Sequence, residues 1–175
     1  MDTVEVSTVV HLPPREVYEF LVDFPRYARY SKYLESVDQR GDGSPGTEYD
    51  LTFSWWKLSY TARSEVTAVD PPRGLSWRLT KDLTARGEWD VDPLASPPDG
   101  VDEACRVTLT VRFDPDSAES GTIDLPRFVS LSWVIEKVKP KIQSEAERVV
   151  ERIVADLEGG RREVDLRIHT VDTDV

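Results

Sequence analysis

The side chains that most often carry enzyme chemistry are few and far apart in this sequence. It has two histidines, His11 and His169, and one cysteine, Cys105. His11 falls on the outward side of the first expected strand and His169 near the end of the chain, so neither has a partner at the spacing of a metal site or a catalytic pair. Cys105 falls on an apolar pattern typical of a small core residue. We therefore assign no catalytic residue and expect neither a metal site nor a cofactor, which favours a protein that is not an enzyme.

Aromatic residues are the other group with a chemical use, because flat rings commonly line small-molecule pockets. The chain has five tryptophans, and Trp55, Trp77 and Trp89 fall on the inward pattern of three expected strands. Ordinary core packing explains any one of them, but the set favours an aromatic wall for an apolar ligand. The expected ligand-binding residues are Tyr49, Phe53, Trp55, Tyr60, Trp77 and Trp89, together with Phe128, Leu131 and Ile135 near the start of a long C-terminal helix.

Regular alternation of apolar and polar residues predicts the strands that would position these rings. A first strand is expected over about residues 3–12, and five further segments alternate between residues 48 and 113. Turns rich in glycine and proline separate them. Such alternation indicates an antiparallel sheet with one buried and one solvated face. Two short helices, one opened by Pro13 and one over Tyr27–Tyr33, are expected after the first strand.

An apolar stripe at spacings of three and four predicts a long C-terminal helix over about residues 126–157, kinked at Pro140. At ~1.5 Å per residue this helix can cross an entire sheet. The predicted fold class is α+β: a curved antiparallel sheet of six to seven strands wrapped around the long C-terminal helix, with the two short helices after strand one. We expect residues 1–158 to form one domain. The tail, residues 159–175, is expected to add an edge strand or to be disordered.

The charge of the chain limits its partners. The net charge is −11 and the isoelectric point is near 4.7, so a phosphate backbone would be repelled and nucleic acid is not an expected partner. Arginines outnumber lysines sixteen to six. An acidic, lysine-poor surface suits a salt-rich cytoplasm, which suggests a halophilic source, and an ordinary acidic protein is the alternative. Without a signal peptide or an apolar run long enough to span a membrane, we expect a cytoplasmic protein, with transient membrane contact and oligomeric state left open.

The order of elements and the opening string VEVSTVVHLPPREVYEFLVDFPRYARYSKYLESV, residues 4–37, resemble the START-like superfamily, also called SRPBCC or polyketide cyclase/dehydrase-like proteins. The Val-Asp-Phe-Pro-Arg-Tyr segment within that string is similar to the coenzyme-Q-binding branch. The resemblance covers about residues 3–157. It implies a helix-grip fold with an apolar cavity that binds lipids, quinones, polyketides or hormones, and enzymatic activity in only some members.

Three functions follow from these observations, in decreasing order of preference. The first is binding, with transport or chaperoning, of a hydrophobic small molecule such as a quinone, an isoprenoid or another lipid. The second is a polyketide cyclase or dehydratase, which a titratable residue with a perturbed pKa deep in the pocket would favour. The third is a protein-interaction module that uses Trp56 and the edge formed by Tyr27–Tyr33.

Overall fold

A computed structural model describes residues 1–117 and 131–171 of the protein, without the side chains of residues 115, 131–139 and 142. The strands are β1 (Asp2–Val10), β2 (Leu34–Arg40), β3 (Glu48–Trp55), β4 (Leu58–Asp70), β5 (Gly74–Leu79), β6 (Ala85–Pro93), β7 (Cys105–Phe113) and β8 (Arg167–Val171). The α-helices are α1 (Pro14–Leu21) and α2 (Leu131–Glu158), and two short 3₁₀ helices span Phe24–Arg29 and Pro115–Ser117.

The eight strands pair in one sheet with the spatial order β2-β3-β4-β5-β6-β7-β1-β8, and each neighbouring pair is antiparallel. The α+β class and the antiparallel sheet predicted from alternation are therefore confirmed. The strand count exceeds the expected six to seven because part of the tail, β8, pairs with β1 at the sheet edge. The helix predicted over residues 126–157 is observed as α2, and residues 126–130 lie outside the described residues.

The two faces of the sheet differ in chemistry, as the alternation requires. On the outer face, Asp50 bridges two arginines, with Arg40 Nη1 at 2.7 Å and Arg63 Nε at 2.8 Å. These two guanidinium groups hold the pKa of the Asp50 carboxyl well below its usual range. Cross-strand ion pairs of this kind occupy a solvated face without a functional role, so the inner, concave face is where a site has to be sought.

Among the described residues, the buried core lies at one end of the concave face. The core end is the end of the sheet at which β4 and β6 terminate. The open end is the opposite end, which carries the β3–β4 turn (residues 56–57) and the β5–β6 loop (residues 80–84). At the core end α1 and the C-terminal half of α2 cover the sheet. The buried cluster there includes Val17, Phe20, Leu75, Val91, Cys105, Val107 and Val154.

Polar contacts fasten the end of α2 to β1 at the core end. Glu158 accepts hydrogen bonds from the backbone N–H of His11 at 3.0 Å and from Arg162 Nε at 2.7 Å. Arg162 also donates to the backbone oxygen of Val9 at 2.8 Å. Burial opposes ionisation of Glu158, but these hydrogen bonds outweigh it and hold the pKa of its carboxyl below the ordinary value of 4.5. The helix is thereby held across the sheet in one position.

Glu158→Gln should reduce the free energy of unfolding by about 2 kcal/mol at neutral pH, because it removes a charge-assisted hydrogen-bond network. A carboxyl with a lowered folded pKa stabilises above its unfolded pKa and loses that contribution as the pH falls through its folded pKa. Denaturant unfolding from pH 7 downward should therefore show the wild-type advantage disappearing below about pH 4.5. Glu163→Gln, at an exposed position five residues on, is the control. An advantage that persists unchanged in acid would contradict this account.

Candidate functional site

The strand register places the predicted aromatic residues of the sheet together on the concave face. They are Tyr49, Phe53, Trp55, Tyr60, Trp77 and Trp89. Phe53 lies directly opposite Tyr60, and Trp77 lies between Val66 and Gly87 on neighbouring strands. Of the three helix-side residues expected to bind ligand, Phe128 lies outside the described residues, as do the side chains of Leu131 and Ile135.

Tyr49, Trp77 and Trp89 lie against the buried core. Tyr49 is only 1% exposed, and its ring centroid is 4.5 Å from that of Phe24. Trp77 and Trp89 are partly buried and pack on the core cluster. The Trp77 indole lies over Gly87 so closely that a Cβ at that glycine would be 2.2 Å from Cζ2. These three rings therefore form the site floor, the part of the concave face where the buried core meets the open end.

Phe53, Trp55 and Tyr60 form the aromatic surface of the open end. Phe53 points to the concave side and yet is 39% exposed. Trp55 contacts α2, since Lys141 Nζ lies 5.2 Å from its ring centroid. Apolar rings on the inner side of a sheet are normally covered, so the accessible ring of Phe53 makes this surface the candidate site. We call these three residues the aromatic wall.

A carboxylate lies beside this wall. Asp82, in the β5–β6 loop, has a left-handed backbone with φ of 68°. Its side chain is 8% exposed, and Lys81 Nζ is 3.6 Å from its Oδ2. Among the described residues no hydrogen-bond donor reaches that oxygen. Burial, together with the neighbouring Asp82 charge, raises the pKa of the Tyr60 phenol to about 12, so Tyr60 stays protonated at neutral pH.

Two further buried oxygens lack hydrogen-bond partners among the described residues, Ser64 Oγ and Glu145 Oε1. Ser64 lies on the concave face opposite Tyr49. Glu145 is 7% exposed and lies one helical turn after Lys141, on the side of α2 that contacts Trp55. A carboxylate only accepts hydrogen bonds, and buried polar groups are nearly always paired. These oxygens are therefore acceptors to which the described residues donate no hydrogen bond.

Sequence reasoning did not find Asp82 or Glu145. In the sequence, Asp82 has the features of an ordinary turn residue, and no pattern indicates that the carboxylate of this loop is buried. Glu145 carried a weak signal, because it lies three residues after Ile142 and four before Val149, within the apolar stripe.

The described residues offer little other chemistry. They contain no group of three or more histidine, cysteine or acidic side chains that could hold a metal ion. Cys105 is fully buried, and burial, with a smaller contribution from Asp92, raises the pKa of its thiol to about 11. A thiol that stays protonated is a core residue rather than a nucleophile. None of the described helices is long and apolar enough to span a membrane.

Comparison with known proteins defines the family. Residues 1–154 match the family described as polyketide cyclase/dehydrase and lipid transport, and the chain belongs to that family. No curated protein matches the sequence.

Solved structures share the fold at low sequence identity. The Zhui aromatase/cyclase from Streptomyces sp. R1128 superposes with a TM-score of 0.61 at 17% identity, over 90% of this chain and 94% of that chain. A START superfamily protein from Mycobacterium smegmatis gives 0.61 at 14% identity, over 90% and 99%. A protein from Thermus thermophilus, TTHA0849, gives 0.58 at 18% identity, over 90% and 97%. At these identities the similarity establishes the helix-grip fold alone.

Gly87→Ala tests the packing of the site floor. The new methyl group would overlap the Trp77 indole, so the ring has to move and the free energy of unfolding should fall by about 1–3 kcal/mol. Thermal unfolding should show this loss together with a shifted tryptophan emission maximum. Gly160→Ala is the matched control, because a Cβ there meets nothing within 4 Å. Equal stability of the two variants would show that Trp77 does not rest on Gly87.

Proposed function

We propose that this protein binds a neutral, ring-containing apolar small molecule on the open half of its concave face. The observation that carries this proposal is the aromatic wall, in which Phe53 remains 39% exposed on the side of the sheet that should be buried. Membership of the polyketide cyclase/dehydrase and lipid transport family supports a hydrophobic ligand. The expected partner is thus an apolar small molecule.

The buried oxygens around the wall refine the ligand chemistry. Asp82 and Glu145 each present a carboxylate oxygen without a hydrogen-bond donor among the described residues. A fatty acid would add a carboxylate beside these two, of which only Asp82 has a described cation near it, Lys81 Nζ at 3.6 Å, and that is unfavourable in a poorly hydrated site. A phenol, a hydroquinone or an alcohol would instead donate a hydrogen bond to them. Among the quinones, isoprenoids and other lipids considered from the sequence, we favour the hydroxylated forms.

We favour a carrier function, in which the protein transports this ligand within a salt-rich cytoplasm. The acidic, lysine-poor composition supports the halophilic setting, and the resemblance of the first helix region to coenzyme-Q-binding proteins supports a quinone-type ring.

Replacing ring residues of the wall should weaken ligand binding without unfolding the protein. Naphthol is a suitable probe because it joins a flat apolar ring to one hydroxyl donor. Phe53→Ala or Trp55→Ala should each raise its Kd about 10- to 100-fold, since a buried aromatic contact contributes roughly 1.5–3 kcal/mol. Isothermal titration calorimetry measures the change. Trp56→Gly, which removes the adjacent but exposed indole, should leave the Kd unchanged. An unchanged Kd in both wall variants would refute this location of the site.

A second candidate function, a cyclase, is favoured by one specific observation, the neighbouring Tyr60 and Asp82. A carboxylate can take a proton from the acidic methylene of a poly-β-ketone. The resulting carbanion would form a carbon–carbon bond with a ketone in the same molecule, and the new alkoxide would take its proton from the Tyr60 phenol. The pair thus offers one base and one acid on the same substrate. The Streptomyces neighbour is named as an aromatase/cyclase, which agrees with this class of reaction.

Turnover distinguishes the cyclase from the carrier. If the cyclase function holds, a linear poly-β-ketone thioester should give a ring product that mass spectrometry detects. Asp82→Asn should then lower the rate by about a hundredfold or more, as loss of a general base does, while Asp99→Asn at an exposed loop position should not. Wild-type protein that binds naphthol but converts no such thioester would leave the carrier as the function.

A further inference from the structure

The lysines of this chain gather at the open end of the sheet. Lys32 precedes β2, Lys57 is in the β3–β4 turn and Lys81 is in the β5–β6 loop. The other three lysines, residues 137, 139 and 141, belong to the first half of α2. That half lies at the open end, because Lys141 contacts Trp55 whereas the far end of α2 contacts β1 at the core end. In a chain with a net charge of −11, the backbone positions of the lysines thus lie at one end of the sheet.

Most of these charges are available to a partner. Lys32, Lys57 and Lys141 are exposed, and each ammonium lies over an aromatic ring, at 5.0, 5.5 and 5.2 Å from the centroid. Among the described residues none of these three has an ion pair, and only Lys81 faces a carboxylate, that of Asp82. A cation that rests on a ring keeps its full charge.

The acidic side chains described at this end lie mostly on its other half. Asp2 begins β1, and Asp114 and Asp116 follow β7, so these three belong to the part of the sheet away from β2, β3 and β4. Glu35, on the β2 side, and Asp82, beside Lys81, are the acidic residues described among the lysines. The positive charge therefore forms a local patch around the β3–β4 turn.

Trp56 projects from the middle of this patch. It is 70% exposed, the most exposed of the large apolar side chains in the described part of the chain. Its backbone has a φ of 55°, a left-handed conformation that bulky residues rarely adopt and that glycine would adopt without strain. The two-residue turn thus holds a tryptophan in water where neither burial nor backbone preference favours one. Unfavourable features of this kind indicate a functional role.

We propose that Trp56 and the surrounding lysines dock the open end of this protein on an anionic lipid surface. Tryptophan with adjacent lysine is the pairing that suits a membrane interface, where the indole enters the headgroup region and the ammonium groups contact lipid phosphates. With 70% of its surface exposed, the Trp56 side chain is accessible to a lipid surface. If the proposed ligand site is correct, docking also brings the aromatic wall next to the bilayer, so that an apolar ligand passes between the two without crossing water.

Vesicle flotation tests this inference. Vesicles of phosphatidylcholine alone are compared with vesicles of equimolar phosphatidylcholine and phosphatidylglycerol. Each is tested at two salt concentrations, the lowest at which circular dichroism shows folded protein and about 1 M. At about 1 M salt, screening shortens the Debye length to about 3 Å. Wild-type protein should float with the anionic vesicles only, and less at high salt. Trp56→Gly should lower the floated fraction at least fivefold at both salt concentrations. Lys32→Gln with Lys57→Gln should lower it at low salt only.

The controls separate docking from folding and from charge alone. Arg15→Gln with Arg161→Gln removes two exposed cations elsewhere and should float like wild type. Trp56→Gly should keep or raise the Tm, because glycine suits the left-handed turn. A lowered Tm would make Trp56 a packing residue and overturn the inference. Equal flotation on neutral and anionic vesicles, or no flotation at all, would also overturn the inference. So would dimers of the wild-type protein that Trp56→Gly dissociates, because a second copy of the chain would then be the partner. Flotation without naphthol binding would support docking while refuting the proposed ligand site.

Discussion

A strongly curved antiparallel sheet exposes an apolar concave face that something has to cover, and the rest of this structure depends on how that covering is divided. At the core end, α1 and the last turns of α2 bury Val91, Val107 and Val154 completely enough to form an ordinary core. At the open end the covering is incomplete over Phe53. Under the proposed function, stability and ligand binding fall at opposite ends of the same strands, so the open end keeps apolar surface accessible while the core end holds the fold together.

The position of α2 links the two ends. At the core end the Glu158–Arg162 pair and the backbone of His11 fix the helix terminus to β1. At the open end the only described contact of this kind is the ammonium of Lys141 over Trp55, which is weaker than a buried ion pair. The contacts described for α2 are therefore stronger at the core end than at the open end.

Alternation in the sequence predicts six of the eight strands, the inner face of the sheet and the six sheet residues of the aromatic group, because side-chain direction in a strand depends only on parity. It does not predict β2, and it leaves β8 open. It does not predict which of those rings stay accessible, since that depends on how far α1 reaches and where α2 crosses. Tyr49 and Phe53 share one strand and one face, yet the first is buried against Phe24 and the second is exposed. The sequence pattern also does not predict that the Asp82 side chain turns inward, because this orientation depends on a local left-handed backbone conformation.

The central claim is that the open end of the concave face holds an apolar molecule with a hydroxyl donor, and the most direct test is native mass spectrometry of protein purified from its own host at high salt, followed by extraction of whatever is bound. We expect a neutral, hydroxylated ring compound at close to one per chain, with Phe53→Ala and Trp55→Ala depleted of it. A protein that is empty as purified, and whose tryptophan emission does not respond to phenols, hydroquinones or isoprenoid alcohols, would contradict the account.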